Sequence, residues 1–289
     1  MVKNSRDRPL TSEELAELIR DADAVIVGND KVDAAAIGAA QRLKVISRYG
    51  VGFDNIDLVA ASARGIVVTN TPGANDNSVA DFAMALILAC ARGIPTATGL
   101  VKGGEWTRVF GVEVWQKTLG VIGVGRIGRG VVHRAGGFNM KVLCYDVIKK
   151  EQWAKTNRVT YACLEEVLQQ SDFVTVHVPL LPSTRGLISR RELGMMKPSA
   201  YIINTARGGI VDEDALYEAL VSGKIAGAAL DVLEREPATD SPLVKLDNVL
   251  ITAHMGGYTR DAVRNMGVMA AQNVVDVLTG AGSHFLVNG

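Results

Sequence analysis

The sequence predicts an α/β protein built on a doubly wound parallel sheet. Short apolar segments alternate with stretches of helical character along most of the chain, a pattern typical of parallel sheets with helices on both faces. One apolar segment, residues 119–122, is followed by glycines at positions 123, 125 and 128 and then by a helix-compatible stretch. The next apolar segment, residues 142–145, ends on Asp146. Together these features predict a strand, a tight turn, a helix and a second strand that ends in an acid.

The glycine spacing is the dinucleotide fingerprint of a Rossmann domain. Gly123 allows the tight turn, Gly125 lets the backbone approach a pyrophosphate, and Gly128 allows the helix to pack closely on the strand. The helix N-terminus offers unpaired N–H groups to phosphate oxygens. A bare GxGxxG is a weak signal, but here the acid follows at the expected distance. Because a carboxylate at Asp146 binds ribose hydroxyls and disfavours the extra phosphate of NADP, the expected cofactor is NAD.

Composition excludes several classes of function. The chain has 289 residues, of which 48% are hydrophobic and 21% charged, and this is typical of a soluble globular protein with room for two domains. Lys plus Arg equals Asp plus Glu at 31 each, so neither a nucleic-acid nor a membrane partner is predicted. The longest apolar stretch, residues 82–91, is too short to cross a bilayer, and the N-terminus lacks the apolar core of a signal peptide. We therefore expect a cytoplasmic protein.

The three cysteines predict neither a disulfide nor a metal site. Cys90, Cys144 and Cys163 lie in unrelated apolar contexts without CxxC spacing. We expect them to be buried, reduced thiols.

Two domains are expected. The strand candidates, in chain order, are residues 24–27, 45–47, 66–69, 119–122, 142–145, 173–176, 201–203, 226–230 and 249–251. Residues 77–91 form an apolar helix that breaks at Arg92 to Pro95, which we interpret as a domain crossing, and residues 259–279 form a helix that returns to the first domain. The substrate domain is accordingly predicted at 1–94 and 260–289, with the NAD-binding Rossmann domain at 95–259.

Several motifs together resemble the NAD-dependent D-2-hydroxyacid dehydrogenase family. The family includes phosphoglycerate, glycerate and D-lactate dehydrogenases and the formate dehydrogenases. The matching segments, besides the glycine fingerprint, are RYGVGFDNIDL (48–58), VVTNTPGANDNSVADFAMALIL (67–88), HVPLLPSTRGLIS (177–189), INTARGGIVDEDAL (203–216), GAALDVLEREP (227–237) and AHMGGYT (253–259). The resemblance implies a Rossmann domain, a smaller flavodoxin-like substrate domain, a small 2-keto or 2-hydroxy acid as substrate, and a homodimer.

The resemblance also implies a catalytic set of Arg207, Glu236 and His254. A planar arginine fork suits a substrate carboxylate, and a histidine titrates near neutrality, so it can donate a proton to the carbonyl oxygen. Glu236 would orient the imidazole and favour its protonated form. The family's formate dehydrogenases have glutamine there, so glutamate argues for hydroxyacid chemistry. Taken singly, Arg207 could cap a helix and His254 could be a core histidine, but each follows a predicted parallel strand, where doubly wound sheets bind ligands.

The remaining site residues are likewise implied by the resemblance. Arg126 and Ile127 would bind the pyrophosphate, with Thr205, Arg207 and Asp231 on the nicotinamide half. The adenosine side would be lined by His177, Pro179 and Thr184. In the substrate domain, the N–H groups of a turn would bind the substrate carboxylate. The substrate-binding residues implied there are Arg48, Gly50, Val51 and Gly52.

The chain departs from the family pattern in three places. Ala253 replaces the proline that usually precedes the catalytic histidine. Gly28 stands where members specific for phosphoglycerate have a phosphate-binding arginine, so small unphosphorylated acids are expected, although Arg48 is nearby in sequence. The strand, helix and strand that ordinarily open the family's first domain are missing, which predicts an N-terminally truncated, three-stranded substrate domain whose strand at 24–27 is an open edge.

A second class of function stays open. Transcriptional corepressors of the same family keep the dinucleotide fold and the catalytic residues, so an NAD(H)-sensing interaction protein is the alternative to an enzyme.

Overall fold

The computed structural model describes residues 3–6, 8–283 and 285–288, which divide into two compact units. The first unit comprises Met1–Asn75 and Tyr258–Gly289, and the second comprises Asp76–Gly257. The helices are α1 Ser12–Ile19, α2 Ala34–Ala39, α3 Leu58–Ala63, α4 Asp76–Arg92, α5 Ile94–Lys102, α6 Arg126–Ala135, α7 Glu151–Asn157, α8 Leu164–Gln170, α9 Arg190–Met195, α10 Glu213–Val221 and α11 Arg260–Leu278. The strands are β1 Ala24–Val27, β2 Val45–Arg48, β3 Val67–Thr69, β4 Thr118–Ile122, β5 Lys141–Tyr145, β6 Thr160–Tyr161, β7 Phe173–Val176, β8 Tyr201–Asn204, β9 Gly227–Leu230 and β10 Val249–Ile251.

The first unit is built on a parallel sheet that, within the described residues, has the order β1-β2-β3. Ala24 pairs with Val45, and Val45 pairs with Val67, so the strands are nearly in line. The smaller sheet therefore has the expected strands, with β1 at one edge. Helix α11 packs against β2, where the Ser47 hydroxyl donates to the Ala270 carbonyl over 3.1 Å.

The second unit is built on a parallel sheet with the order β10-β9-β8-β7-β4-β5-β6 across the described residues. The order reverses between β4 and β7, as in a doubly wound Rossmann sheet. Strands β7 and β9 are buried along their whole length, which explains why neither contains a charged residue. The short edge strand β6 was not among the predicted strands.

This division falls at 75/76 and 257/258, whereas the sequence predicts domain boundaries at 94/95 and 259/260. Helix α4 belongs to the second unit because Ala80, Ala83 and Ile87 are buried in the same core as Leu119 and Val121 of β4. The break at Gly93 separates α4 from α5 and is not a boundary between units.

The structure tests the expectation that the three cysteines are buried. Cys144 is buried and Cys90 partly so, but Cys163 is exposed, because it lies at the cap position just before α8. The described part of the chain contains no group of three His, Cys, Asp or Glu side chains able to hold a metal ion.

Within the same residues, no single helix is both long and apolar enough to cross a membrane. Helices α4 and α5 satisfy the length and composition criteria only as a pair bent by 62°.

Candidate functional site

The predicted site residues of the second unit lie along one edge of its sheet. All strands are parallel, so their carboxyl ends meet at the same edge. The strand order places the segment after β10 at one end of this row and the segment after β5 near the other, with those after β9, β8, β7 and β4 between them. The row of residues that follow these strand ends is His254, Asp231, Thr205, His177, Gly123 and Asp146. Such a row suits an elongated ligand.

The glycine turn after β4 has the shape that a bound phosphate needs. A Cβ on Gly128 would lie 2.1 Å from the Gly123 carbonyl oxygen, and Gly123 itself has φ +93° and packs on the backbone of His177. These two glycines are required by packing. Gly125, at the N-cap of α6, is different because no described atom lies within 4 Å of a Cβ built there. The open space in front of the helix N-terminus fits a pyrophosphate, and Arg126 and Ile127 are the next residues of α6.

Asp146 is bonded to this turn and keeps capacity for a ribose. Its Oδ2 accepts the Val124 N–H over 2.6 Å, and its Oδ1 accepts the Ile148 N–H over 2.8 Å. Each carboxylate oxygen can accept a second hydrogen bond, so ribose hydroxyls can still be bound. Val147 and Ile148 are exposed and apolar, and they offer no cation to a 2′-phosphate.

His177 and Thr205 carry buried polar atoms that have no partner among the described residues. These atoms are His177 Nδ1 and Thr205 Oγ1. His177 Nε2 lies 2.9 Å from the Thr175 hydroxyl, and burial lowers the pKa of His177 to about 3, so the ring is neutral. Unpaired buried polar atoms are rare in proteins, and two of the four among the described residues lie on neighbouring strand ends of the row. They fit a ligand that supplies their hydrogen bonds.

Pro179 and Thr184 form a turn beyond His177. The Thr184 hydroxyl donates to the Pro179 carbonyl over 2.6 Å and accepts the Leu181 N–H over 2.8 Å. The described contacts of Thr184 therefore shape the turn, and any contact with a cofactor would be additional.

The buried carboxylate of Asp231 organises the segment that carries His254. Its Oδ1 accepts the Thr252 hydroxyl over 2.6 Å and the Met255 N–H over 2.8 Å, while Oδ2 accepts the Gly256 N–H over 2.7 Å. The His254 N–H donates to the Asp231 carbonyl over 2.8 Å. His254 has φ +50°, a conformation that non-glycine residues rarely adopt, and this network holds it there. The sequence did not predict this role for Asp231.

His254 and Glu236 form a hydrogen-bonded pair. His254 Nδ1 lies 2.9 Å from Glu236 Oε2, and Glu236 Oε1 accepts the Leu233 N–H over 3.2 Å. Both side chains are about one-third exposed. Since Nδ1 faces the carboxylate, the opposite nitrogen, Nε2, is the one that can exchange a proton with a ligand.

The electrostatics keep Glu236 ionised. Partial burial by itself would raise the pKa of the Glu236 carboxyl. The hydrogen bond and charge of His254, the Leu233 N–H and the positive charge of Arg207 outweigh burial, so the pKa lies below its usual value. The arrangement is a carboxylate–imidazole pair with an arginine close enough to affect it.

Arg207 is brought to this pair by a close backbone contact. A Cβ on Gly208 would lie 2.1 Å from the Leu233 carbonyl carbon and oxygen, so only glycine lets the two loops touch. Asn204 shapes the turn, because its side chain donates to the Arg207 carbonyl over 2.8 Å and accepts the Ala206 N–H over 3.0 Å.

In the first unit, the turn after β2 is held by polar side chains. Arg48 Nε donates to the Gly52 carbonyl over 2.8 Å, and the Asn70 side chain donates to the Val51 carbonyl over 2.8 Å. The Gly50 N–H is bonded to the Thr71 hydroxyl over 2.9 Å. Within the described residues, the N–H groups of Val51 and Gly52 are the donors that this turn keeps.

Arg48 also bonds the Tyr49 carbonyl and, over 3.0 Å, the Asn29 side chain, so its contacts support the turn.

The family model for the NAD-binding domain of D-isomer specific 2-hydroxyacid dehydrogenases matches residues 84–256. Among curated proteins, D-3-phosphoglycerate dehydrogenase of Methanocaldococcus jannaschii is 48% identical over 283 residues, 96% of this chain and 54% of that one. The chain thus spans about half the length of that relative. Hydroxypyruvate reductase of Thermotoga maritima is 44% identical over 95% of this chain and 92% of its own. The crystal structure of Aquifex aeolicus D-lactate dehydrogenase with NAD and lactic acid matches at 34% identity with a TM-score of 0.87, covering 95% of this chain and 89% of that one.

Two substitutions in the glycine turn should separate folding from nucleotide binding. Gly128→Ala places a methyl against the Gly123 carbonyl, so we expect a lower melting temperature and no NADH binding. Gly125→Ala meets no described atom and should melt like the wild type, but its methyl obstructs the phosphate and should weaken NADH binding at least about tenfold, or ~1.4 kcal/mol. Fluorescence titration and thermal unfolding measure both effects. Gly137→Ala, also free of close contacts but at the far end of α6, is the control. Equal NADH affinity of Gly125→Ala and the wild type would contradict this view of the turn.

Proposed function

The chain belongs to the D-isomer specific 2-hydroxyacid dehydrogenase family, and we propose that it transfers a hydride between NAD(H) and a small D-2-hydroxy acid or its 2-keto acid. The observation that carries this proposal is the 2.9 Å pair of His254 Nδ1 and Glu236 Oε2 with Arg207 close by. This constellation supplies a proton and a cation at one end of a row whose other end suits a dinucleotide.

The second unit supports NAD as the cofactor. The α6 N-terminus would hold the pyrophosphate, Asp146 the adenine ribose, and Thr205 with His177 the middle of the row. NADH supplies the hydride when bound. Asp146 disfavours NADP because its carboxylate repels a 2′-phosphate.

The substrate would be held through its carboxylate. Arg207 is fixed by the packing of Gly208 and carries the planar donors that suit a carboxylate and polarise the adjacent carbonyl. The N–H groups of Val51 and Gly52 are the donors we assign to the substrate from the first unit.

The proton would move at His254 Nε2. In reduction the protonated imidazole donates to the carbonyl oxygen as hydride reaches carbon, and in oxidation the neutral ring accepts the proton. Glu236 stabilises the imidazolium across Nδ1, and it does so throughout the neutral range because its own pKa is lowered. Reduction should therefore lose rate as the pH rises, and oxidation should gain it.

The preferred substrates would be unphosphorylated. The segment after β1 consists of Gly28, Asn29 and Asp30, and the Asp30 carboxylate accepts the Gly28 N–H over 3.0 Å. A carboxylate there disfavours a phosphate. The nearest cation in sequence, Lys31, lies 3.4 Å from the Asp33 carboxylate. Arg48 already bonds Asn29 and the turn after β2.

The test is an NADH-oxidation assay over a panel of 2-keto acids. Glyoxylate or hydroxypyruvate should give a kcat/KM about tenfold or more above that of 3-phosphohydroxypyruvate, equivalent to ~1.4 kcal/mol. Gly28→Arg should narrow the difference in kcat/KM between the unphosphorylated and phosphorylated keto acids, because it adds the missing cation. Preference of the wild type for the phosphorylated acid would overturn the substrate assignment. NADH binding without turnover of any acid would instead favour the NAD(H)-sensing interaction protein.

Loss of His254 and loss of Arg207 should change kcat and KM in different ways. His254→Asn should lower kcat by roughly 10²- to 10⁴-fold with KM for the keto acid little changed, because a general acid acts in the transition state. Arg207→Ala should raise KM and lower kcat together. Steady-state kinetics distinguish the two. Wild-type kcat in His254→Asn would show that another group donates the proton.

A homodimer to which the segment 77–114 contributes is also part of the proposal. Within this segment Trp106 is 92% exposed and Phe110 is fully exposed, and exposed apolar patches mark interaction surfaces. Sedimentation at micromolar concentration should give a dimer, and Trp106→Ser with Phe110→Ser should give a monomer. Val59→Ser, an equally apolar exposed position on α3, should leave the dimer intact. A wild-type monomer would refute this assembly.

A cytoplasmic location stays a prediction.

A further inference from the structure

Glu213 lies at the start of α10 and contacts the loop that carries Glu236. Its Oε1 accepts the Glu234 N–H over 2.5 Å. The residue is fixed from its own side as well. Asp212 caps α10 by accepting the Ala215 N–H over 3.0 Å, and the Ser189 hydroxyl donates to Asp212 over 2.8 Å. The carboxylate of Glu213 therefore stands on a rigid support.

The peptide that Glu213 holds is the same one that Gly208 touches. A Cβ on Gly208 would lie 2.1 Å from the Leu233 carbonyl and 2.3 Å from the Glu234 nitrogen. The Leu233–Glu234 peptide is thus held by a close packing contact with the Arg207 turn and by a hydrogen bond to α10. Leu233 in turn donates its own N–H to Glu236 Oε1 over 3.2 Å.

This chain of contacts reaches the proton-transfer pair. Glu213 fixes the peptide, the peptide fixes the Leu233 N–H, and Leu233 holds the Glu236 oxygen opposite the one that meets His254. We propose that Glu213 is a positioning residue that holds the Glu236 loop in register with His254. The inference rests on the proposed function, in which His254 and Glu236 move the proton.

The charges around Glu213 indicate that the position of its acceptor oxygen matters more than its negative charge. Burial raises its pKa, the Glu234 N–H opposes this, and the negative charges of Glu234, Asp214 and Glu236 raise it further. Beyond them, Arg185 pairs with the Glu234 side chain over 2.8 Å, and the charges of His254 and Arg207 act on Glu236. A negative charge is therefore disfavoured at Glu213, whereas an acceptor oxygen is needed there.

Two variants of similar size separate the effect of the oxygen's position from the effect of its charge. Glu213→Gln keeps an acceptor oxygen at the same distance and removes the charge, so it should retain kcat within about twofold. Glu213→Asp keeps the charge but withdraws the oxygen by one methylene. It should lower kcat roughly tenfold, because small misplacements of catalytic groups cost large factors in rate. KM for the keto acid and NADH affinity should stay within about twofold, and the alkaline limb of the kcat profile should move to lower pH in the Asp variant alone.

Asp214→Asn is the matched control, because it removes a charge in the same first turn of α10 without a described contact to the Glu236 loop. It should behave like the wild type. A purely structural role of Glu213 would lower the melting temperature and NADH affinity of Glu213→Asp without moving the pH limb. That result, wild-type kcat in Glu213→Asp, or equal damage in Glu213→Gln, would overturn the proposal.

Hydrogen exchange gives a readout that does not depend on turnover. The amide of Glu234 should exchange faster in Glu213→Asp than in the wild type, and Glu213→Gln should protect it. A wild type that reduces no keto acid would refute the proposed function, and the exchange rates would still test the contact. Unchanged exchange in Glu213→Asp would refute the positioning role while leaving the dehydrogenase assignment standing.

Discussion

The buried carboxylate of Asp231 is the interaction on which the His254 end of the row depends. A carboxylate that is only 2% exposed is strongly disfavoured unless hydrogen-bond donors surround it. Here the donors come from Thr252, Met255 and Gly256, so the segment after β10 must fold around the end of β9. His254 lies inside that segment with φ +50°. Its unusual conformation persists because the hydrogen bonds of its neighbours determine the path of the chain on both sides.

A second constraint positions Arg207 and the loop that carries Glu236. The absence of a side chain at Gly208 lets the Arg207 turn lie directly on the Leu233–Glu234 peptide. Packing at that distance leaves little freedom, because a single methyl would force the two loops apart. Arg207 thus acts electrostatically on Glu236, and Glu236 meets His254. The cation, the carboxylate and the imidazole come from three different strand ends, so backbone contacts must set their spacing.

The sequence predicted the sheets well and the contacts between loops poorly. Strands such as residues 24–27 and 173–176 have the predicted bounds. Residues 173–176 are buried along their whole length, whereas Ile26 of the edge strand at 24–27 is 47% exposed. The break after Arg92 ends α4, and α4 packs on β4 through residues distant in sequence, which no local pattern predicts. The partners of Asp231 lie 21 to 25 residues away along the chain, and no local pattern announces them. The same is true of the bond that occupies the Gly50 N–H.

Two histidines on the same sheet edge differ in chemistry because their surroundings differ. His177 is bonded to the neutral Thr175 hydroxyl, and burial with no carboxylate partner keeps its ring uncharged. It can offer or accept a hydrogen bond, but it cannot gain a proton at neutral pH. His254 is partly exposed and faces an ionised glutamate, so solvent can reach its ring. In the proposed function, proton transfer is therefore assigned to the end of the row where Arg207 also lies, and the electrically neutral middle of the row is assigned to binding.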